Sequence, residues 1–196
     1  MRNLIIITAP SGAGKTTLCK EILKNESNIK FSVSHTSRKI RKNEKNGIDY
    51  YFISKEEFMR GIKQEKFVEW NFHFDCYYGT SKSEIIDSID RKIPLLLELD
   101  VNGALNMQKL YPNQTISIFI EPPSLDDLRV RLEKRGSDSI DRIKRRLQRI
   151  EFELSHKSNF DFNIVNDKLD VATSQILEII KNKTKGVSYV TWTNIY

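Results

Sequence analysis

The segment that most constrains this chain runs from Leu4 to Lys24. An aliphatic run, Leu4-Ile5-Ile6-Ile7-Thr8, is followed by Ala9-Pro10-Ser11-Gly12-Ala13-Gly14-Lys15-Thr16 and then by an amphipathic stretch, Thr16–Lys24. The first run has the length and residue type of a buried strand, and the last has helical periodicity. A glycine-rich turn between a strand and a helix N-terminus aims backbone amides and the positive end of the helix dipole at an anion. Gly12 and Gly14 permit close backbone approach, Lys15 is placed for the β and γ phosphates, and the Thr16 hydroxyl is the candidate magnesium ligand. Residues 9–17 (Ala9, Pro10, Ser11, Gly12, Ala13, Gly14, Lys15, Thr16 and Thr17) therefore form the candidate nucleoside triphosphate site. The generic pattern begins with Gly where Ala9 stands. On its own the loop does not separate GTPases, motor ATPases and small-molecule kinases.

Beyond it, short β-branched runs alternate with amphipathic ones. Pro94–Asp100, Thr115–Ile120 and Phe160–Val165 read as strands, and Asn102–Leu110 and Asp170–Lys183 as helices. This alternation predicts an α/β fold of the P-loop NTP hydrolase type, three layers with a central parallel sheet and helices on both faces. Two excursions interrupt it. Residues 31–78 are aromatic and strand-like, and residues 124–157 are charged, helical and broken at Gly136. Ser54 with Glu57, Ser81 with Glu84 and, more weakly, Ser124 with Asp127 have the spacing of capping boxes at helix starts. Pro122-Pro123 ends the strand before the second excursion.

Composition narrows the class. The 196 residues suit one domain with a substantial core, 39% hydrophobic and 30% charged as in ordinary globular chains. No apolar run approaches the roughly 20 residues of a membrane span, and the N-terminus lacks the features of a signal peptide. Cys19 and Cys76 have no metal-like spacing and read as free thiols of a reducing, cytoplasmic setting. The net charge of +6, from 32 basic and 26 acidic residues, suits nucleic acid, an anionic surface or phosphorylated small molecules. The basic residues gather at 38–45 and 129–149, where nucleotide phosphates account for them without nucleic acid or a membrane.

In the order of its motifs the chain resembles the guanylate kinases. The loop Ala-Pro-Ser-Gly-Ala-Gly-Lys at 9–15 is a form common in bacterial members, which accounts for Ala9. The likeness continues through Ser32-Val33-Ser34-His35-Thr36-Ser37-Arg38, Asp49-Tyr50-Tyr51-Phe52, Phe67-Val68-Glu69 and Tyr77-Tyr78-Gly79-Thr80-Ser81. It extends through Glu98-Leu99-Asp100-Val101-Asn102-Gly103-Ala104, Arg131-Leu132-x-x-Arg135-Gly136 and Ile164-Val165-Asn166-Asp167, covering about residues 2–182. Thr80 stands where some members have Ser, and Asn102 where Gln is common. The resemblance implies transfer of the γ-phosphoryl group of ATP to GMP with Mg²⁺, by a monomer or homodimer. It also implies a core of about 2–33, 82–123 and 158–182, a GMP-binding insertion of about 34–81 and a lid of about 124–157. A tail, 183–196, has no assigned role.

A nucleoside monophosphate calls for donors and cations. Arg38 and Arg41 offer planar forks suited to phosphate. Ser34, Tyr50 and Tyr78 offer hydroxyls, and by resemblance these five hold the GMP phosphate. Guanine presents N1–H and N2–H donors beside O6, so a carboxylate, Glu69, and a hydroxyl, Thr80, would select it over adenine. Asp100 is a further family-matched contact, with orientation of a magnesium-bound water as the alternative. Arg131 and Arg135 lie four apart on one helical face. Arg142 and Arg146 repeat that spacing, and Arg149 follows three later, beside an apolar stripe of Ile143, Leu147, Ile150 and Leu154. Resemblance points to Arg131, Arg135, Arg142 and Arg146, with Lys15, as the catalytic set. The acceptor is already a phosphate oxyanion, so no general base is needed, and His35, His73 and His156 read as structural. Asn166 matches an adenine-side contact, with a turn-forming Asn as the plainer reading. Two other functions are weighed: a peptide-binding module of guanylate-kinase likeness, which loses the phosphate loop or acceptor residues that are retained here, and a kinase for another monophosphate.

Overall fold

Four successive aliphatic side chains are tolerable only where both faces of a strand are covered. In the computed structural model, which describes residues 2–73, 75–124, 126–128 and 149–184, Leu4 to Ile7 are fully buried in strand β1 (Leu4–Thr8). Then follow α1 (Lys15–Asn25), β2 (Lys30–Phe31), β3 (His35–Thr36), β4 (Tyr51–Phe52), α2 (Lys55–Lys63), β5 (Phe67–His73), β6 (Cys76–Ser81) and α3 (Lys82–Arg91). The chain goes on through β7 (Leu95–Glu98), α4 (Val101–Leu110), β8 (Thr115–Glu121), helical residues 149–155, β9 (Phe162–Val165) and α5 (Leu169–Lys183).

The strands form a five-stranded parallel sheet, β2-β7-β1-β8-β9, and a second sheet, β4-β3-β6-β5. β1 is central and pairs Leu4 with both Leu95 and Thr115. Its side chains alternate between two cores. Ile5 and Ile7 pack with Leu18 and Ile22 of α1 and Ile176 and Ile180 of α5. Leu4 and Ile6 pack with Ile85 of α3, Ala104 and Met107 of α4, and Phe119. Helices thus cover both faces, as the alternation in the sequence predicts. β1, α1, β7, α4, β8, β9 and α5 lie within a residue or two of their expected bounds, whereas β2 is not expected from the sequence and α3 is signalled only by its start.

The second sheet occupies the first excursion. Its outer face is closed by α2, whose Phe58 stacks on Phe67 with ring centroids 4.4 Å apart. The capping box at α2 forms in full: Ser54 Oγ accepts from Glu57 N at 3.1 Å, and Glu57 Oε2 accepts from Ser54 N at 2.8 Å. Ser124 Oγ likewise accepts from Asp127 N. The box expected at Ser81 does not form. Glu84 turns across to accept from Ser32 Oγ at 2.7 Å, and Ser81 Oγ pairs with Ser83 Oγ. The tertiary partner therefore prevails over the local one. Residues 129–148 and 185–196 lie outside the described residues, and with them the expected break at Gly136 and the tail.

Ile6 is the side chain on which the α3–α4 core closes. Ile6→Ala is expected to lower the unfolding free energy by about 2–5 kcal/mol, measured by denaturant titration; a loss below about 1 kcal/mol would show that this core collapses around the cavity.

Candidate active site

Parallel α/β sheets bind ligands beyond the carboxyl ends of their strands. Here the loop after β1, Glu98 to Asp100 after β7 and Asn166 after β9 gather at that edge. Gly12 and Gly14 adopt φ of 94° and 91°, a conformation that L side chains rarely take. Gly14 is doubly constrained, because a Cβ there would lie 2.5 Å from Asn166 Nδ2. That buried amide donates to Ala13 O at 2.8 Å, so Asn166 props the loop from behind and does not line the cleft. Gly14 is also the N-cap of α1 and provides no side-chain cap, which leaves the first-turn amides to an anion.

Lys15 Nζ donates to Leu99 O at 2.7 Å, and the Thr16 hydroxyl donates to Glu98 Oε1 at 2.6 Å. Both side chains line a cleft of about 640 Å³ together with Ser11. Its opposite wall brings in Ser34, Arg38, Arg41, Tyr50 and Tyr78, and its floor Glu69 and Asp100. Residues that are distant in sequence thus meet in one cavity between the phosphate loop and the second sheet. Ala13 is fully buried under the loop.

The wall opposite the phosphate loop pairs its arginines with one carboxylate. The Arg38 fork meets Glu44, Nη2 to Oε1 at 2.8 Å and Nη1 to Oε2 at 3.0 Å, and Glu44 Oε2 also accepts from Arg41 N at 2.9 Å. Burial works against that carboxylate's charge, but these donors hold Glu44 below its ordinary range. The Arg38 guanidinium lies 5.6 Å from the centre of the Tyr50 ring. Tyr50 meets Tyr78 edge-on, and burial pushes its phenol well above the ordinary value.

At the floor, Glu69 is buried and its Oε1 accepts from Thr80 Oγ1 at 2.5 Å. A Cβ at Gly103 would lie 2.9 Å from Glu69 Oε2, so α4 seats its first turn directly against the carboxyl. Burial, reinforced by Asp100 and opposed by Thr80, raises Glu69 to about 7. Thr80 is fully buried and reaches the cleft only through Glu69. Asp100 caps α4, accepting from Gly103 N at 2.8 Å through Oδ1, while Oδ2 accepts from Asn71 at 2.9 Å and from Arg149 at 3.1 Å.

Several of these residues carry no role in the sequence reading. Glu44 follows Arg41 by three residues, a charge spacing that could have flagged it. Glu98 sits inside a quoted motif without a function, and Asn71 gives no local signal, nor does the buried Glu153, whose Oε2 accepts from the Ser11 amide at 3.2 Å. Arg131, Arg135, Arg142 and Arg146 lie outside the described residues. Among the described residues no group of three or more His, Cys, Asp or Glu could hold a metal by itself. The Thr16–Glu98 pair nevertheless offers the hard oxygen donors that magnesium takes, usually one or two from protein and the rest from phosphate and water. No described helix is long and apolar enough to cross a membrane.

A phosphate loop that faces an arginine- and tyrosine-lined wall across one cleft defines a P-loop kinase acting on a phosphorylated acceptor. Comparison with known proteins agrees. The family model for guanylate kinase matches residues 1–183. The guanylate kinase of Chlorobaculum tepidum is 42% identical over 181 residues, covering 90% of this chain and 93% of that protein. That of Porphyromonas gingivalis is 44% identical over 182 residues, covering 92% and 97%. The crystal structure of guanylate kinase from Anaplasma phagocytophilum superposes with a TM-score of 0.80 at 32% identity, covering 94% of this chain and 87% of that one. A shikimate kinase from Bacteroides thetaiotaomicron, at 14% identity and a TM-score of 0.50, shares the fold alone. The chain belongs to the guanylate kinase family, ATP-dependent enzymes that phosphorylate GMP.

Glu69 provides a stability signature. Its folded value near 7 lies above the ordinary 4.5, so the folded state binds the extra proton. The stability that comes from the neutral form is full at low pH and is lost as pH rises from 4.5 through 7. Chemical unfolding at pH 5 and pH 8 should show wild type losing stability relative to Glu69→Gln over that window. Parallel pH profiles would place the carboxyl in an ordinary, hydrated setting.

Proposed function

We propose that the cleft transfers the γ-phosphoryl group of ATP to GMP, with ATP on the 9–17 loop and GMP against the second sheet. The observation that supports this most is the buried Glu69 on the floor of a cleft whose opposite lip is the phosphate loop. Glu69 accepts from guanine N1–H and N2–H, and Asp100, beside it, completes the guanine side. Thr80 orients the carboxyl through the hydroxyl it donates. Arg38, Arg41, Ser34, Tyr50 and Tyr78 take the acceptor phosphate, with Glu44 aligning the Arg38 fork. Residues 34–81 then form the GMP-binding insertion and 124–157 the lid, in an enzyme of the cytoplasm.

The acceptor oxygen is already anionic, so the protein's task is alignment and the spreading of charge. Lys15 and the amides of the loop meet the donor phosphates. Thr16 and Glu98 beside it would hold Mg²⁺, which would supply charge neutralisation to the donor phosphates. This assigns the metal side to Glu98 and leaves Asp100 to guanine. From family resemblance, Arg131, Arg135, Arg142 and Arg146 of the lid act on the transferring group. Asn166 serves the ATP site by shaping the loop at Ala13.

Lys15→Met is expected to remove most turnover, at least ~10²-fold, as expected for loss of a donor aimed at developing charge, while calorimetric GMP affinity stays within a few-fold. Wild-type turnover in that variant would remove Lys15 from the donor site.

Guanine selection has its own test, a coupled assay of ADP formation across GMP, AMP, CMP and UMP. Polar sites reject analogues that leave a buried group unpaired by roughly 10⁴-fold, so GMP alone should turn over well. Below about pH 7 the neutral Glu69 carboxyl loses an acceptor, so KM for GMP should rise as pH falls, up to ~tenfold per unit. Because the GMP phosphate itself ionises near about 6, Glu69→Gln is the reference and should have a high, flatter KM profile. Thr80→Val should cost only a few-fold, because a neutral hydrogen bond contributes about 1 kcal/mol net. Preference for AMP, or unchanged GMP kinetics in Glu69→Gln, would overturn guanine recognition here.

A further inference from the structure

One guanidinium sits at the seam between the two halves of the cleft. Arg149 Nε donates to Glu153 Oε1 at 2.8 Å, one turn along the same helical stretch, and its Nη2 donates to Asp100 Oδ2 at 3.1 Å. Glu153, almost wholly buried, uses its other oxygen, Oε2, to accept from the backbone amide of Ser11 in the phosphate loop at 3.2 Å. Asp100 Oδ2 is in turn held by Asn71 of β5, in the second sheet. A continuous hydrogen-bonded path therefore runs from β5 through Asp100, Arg149 and Glu153 to the donor loop. Two of its links are charge-assisted contacts from one edge of a planar group. Such pairs are directional, and removing the guanidinium takes a charged donor from two carboxylates at once.

We propose that Arg149 is a positioning residue that couples the two nucleotide sites, so that occupancy of the acceptor side sets the placement of Ser11 and the affinity for ATP. The inference rests on the reading that Asp100 belongs to the GMP side, and it adds a residue outside the four lid arginines of the family resemblance. Its logic is mechanical. A ligand that engages Asp100 fixes one end of the path, and Arg149 and Glu153 carry that constraint to a loop amide that lines the donor half of the cleft. Coupling of this kind is reciprocal, and typical values are 5- to 150-fold, an order-of-magnitude range for two linked sites.

The test is calorimetric binding of a non-hydrolysable ATP analogue to the full chain, with and without saturating GMP. In wild type, GMP should tighten the analogue by roughly 5-fold or more. In Arg149→Met and in Glu153→Met the ratio should fall to within about 2-fold, and the double variant should be no worse than either single one, because all three break one path. Arg149→Gln, shorter and uncharged but still carrying an amide donor, replaces the methionine variant if that does not fold, and is likewise expected below the wild-type ratio. A folded Arg149 variant with the wild-type ratio overturns the coupling, as does a double variant whose loss is the product of the singles. Absence of tightening in wild type overturns it as well. If GMP binds and its turnover keeps the Glu69 signature, the failure belongs to Arg149 alone; if GMP does not bind, the reading of the acceptor site fails with it.

Discussion

The burial of β1 on both faces is the constraint from which the rest follows. Ile5 and Ile7 commit one face to α1 and α5, and Leu4 and Ile6 commit the other to α3 and α4. A strand so enclosed has parallel neighbours on both sides, and its carboxyl end is the one place where the chain can emerge between two helical layers. The phosphate loop emerges there. Its shape is then fixed by two glycines in the left-handed region and by Asn166, which fills the space that a Cβ on Gly14 would need. Fold and donor site are thus one construction.

Around that construction the cleft's donors are matched by internal carboxylates. Glu44 holds the Arg38 fork, Glu98 takes the Thr16 hydroxyl, Glu153 takes the Ser11 amide, and Glu69 takes the Thr80 hydroxyl. A cationic site without such partners would repel itself and leave long side chains to wander. With them, the donors are already oriented when phosphate arrives, and much of the ordering entropy is settled on folding. The net charge of +6 therefore understates how local the electrostatics are. The Arg38 fork, the Arg41 and Ser11 amides and the Thr16 hydroxyl each meet a carboxylate at hydrogen-bonding distance, where screening by salt is weakest.

Four of the sheet's five strands were legible in the sequence as short apolar runs, and the loop because its residue order has one mechanical meaning, while β2, only Lys30-Phe31, gave no such run. The cleft residues Arg38, Tyr50, Glu69 and Tyr78 could be named from their motifs. Their meeting in one cleft depends on how the second sheet folds back over the first, which no local pattern encodes. Glu84 shows the limit most plainly. Its spacing from Ser81 signals a capping box, yet Ser32, fifty-two positions earlier, is the partner it takes. Thr80 shows it again, since a sequence places a hydroxyl near guanine without revealing that a fully buried side chain can act only through Glu69. Glu153 was invisible for the same reason: its partner is a backbone amide 142 residues away.

Placing Glu69 and Asp100 side by side at the floor of a cleft is costly, and the local arrangement shows how the cost is contained. Asp100 faces three donors, the Gly103 amide, the Asn71 amide group and the Arg149 guanidinium. Glu69 has Thr80 against its Oε1, and burial holds it near neutrality at about 7. Asp100 is therefore held by three donors, while burial raises Glu69 to about 7, where a ligand with two N–H groups would favour its charged form. Like-charge pairs in enzymes separate their roles in this way, through unequal surroundings and not through different residues. In this cleft the asymmetry also has a direction. Asp100 is tied outward through Arg149 and Glu153 to the donor loop, whereas Glu69, held by Thr80, faces the floor of the cleft.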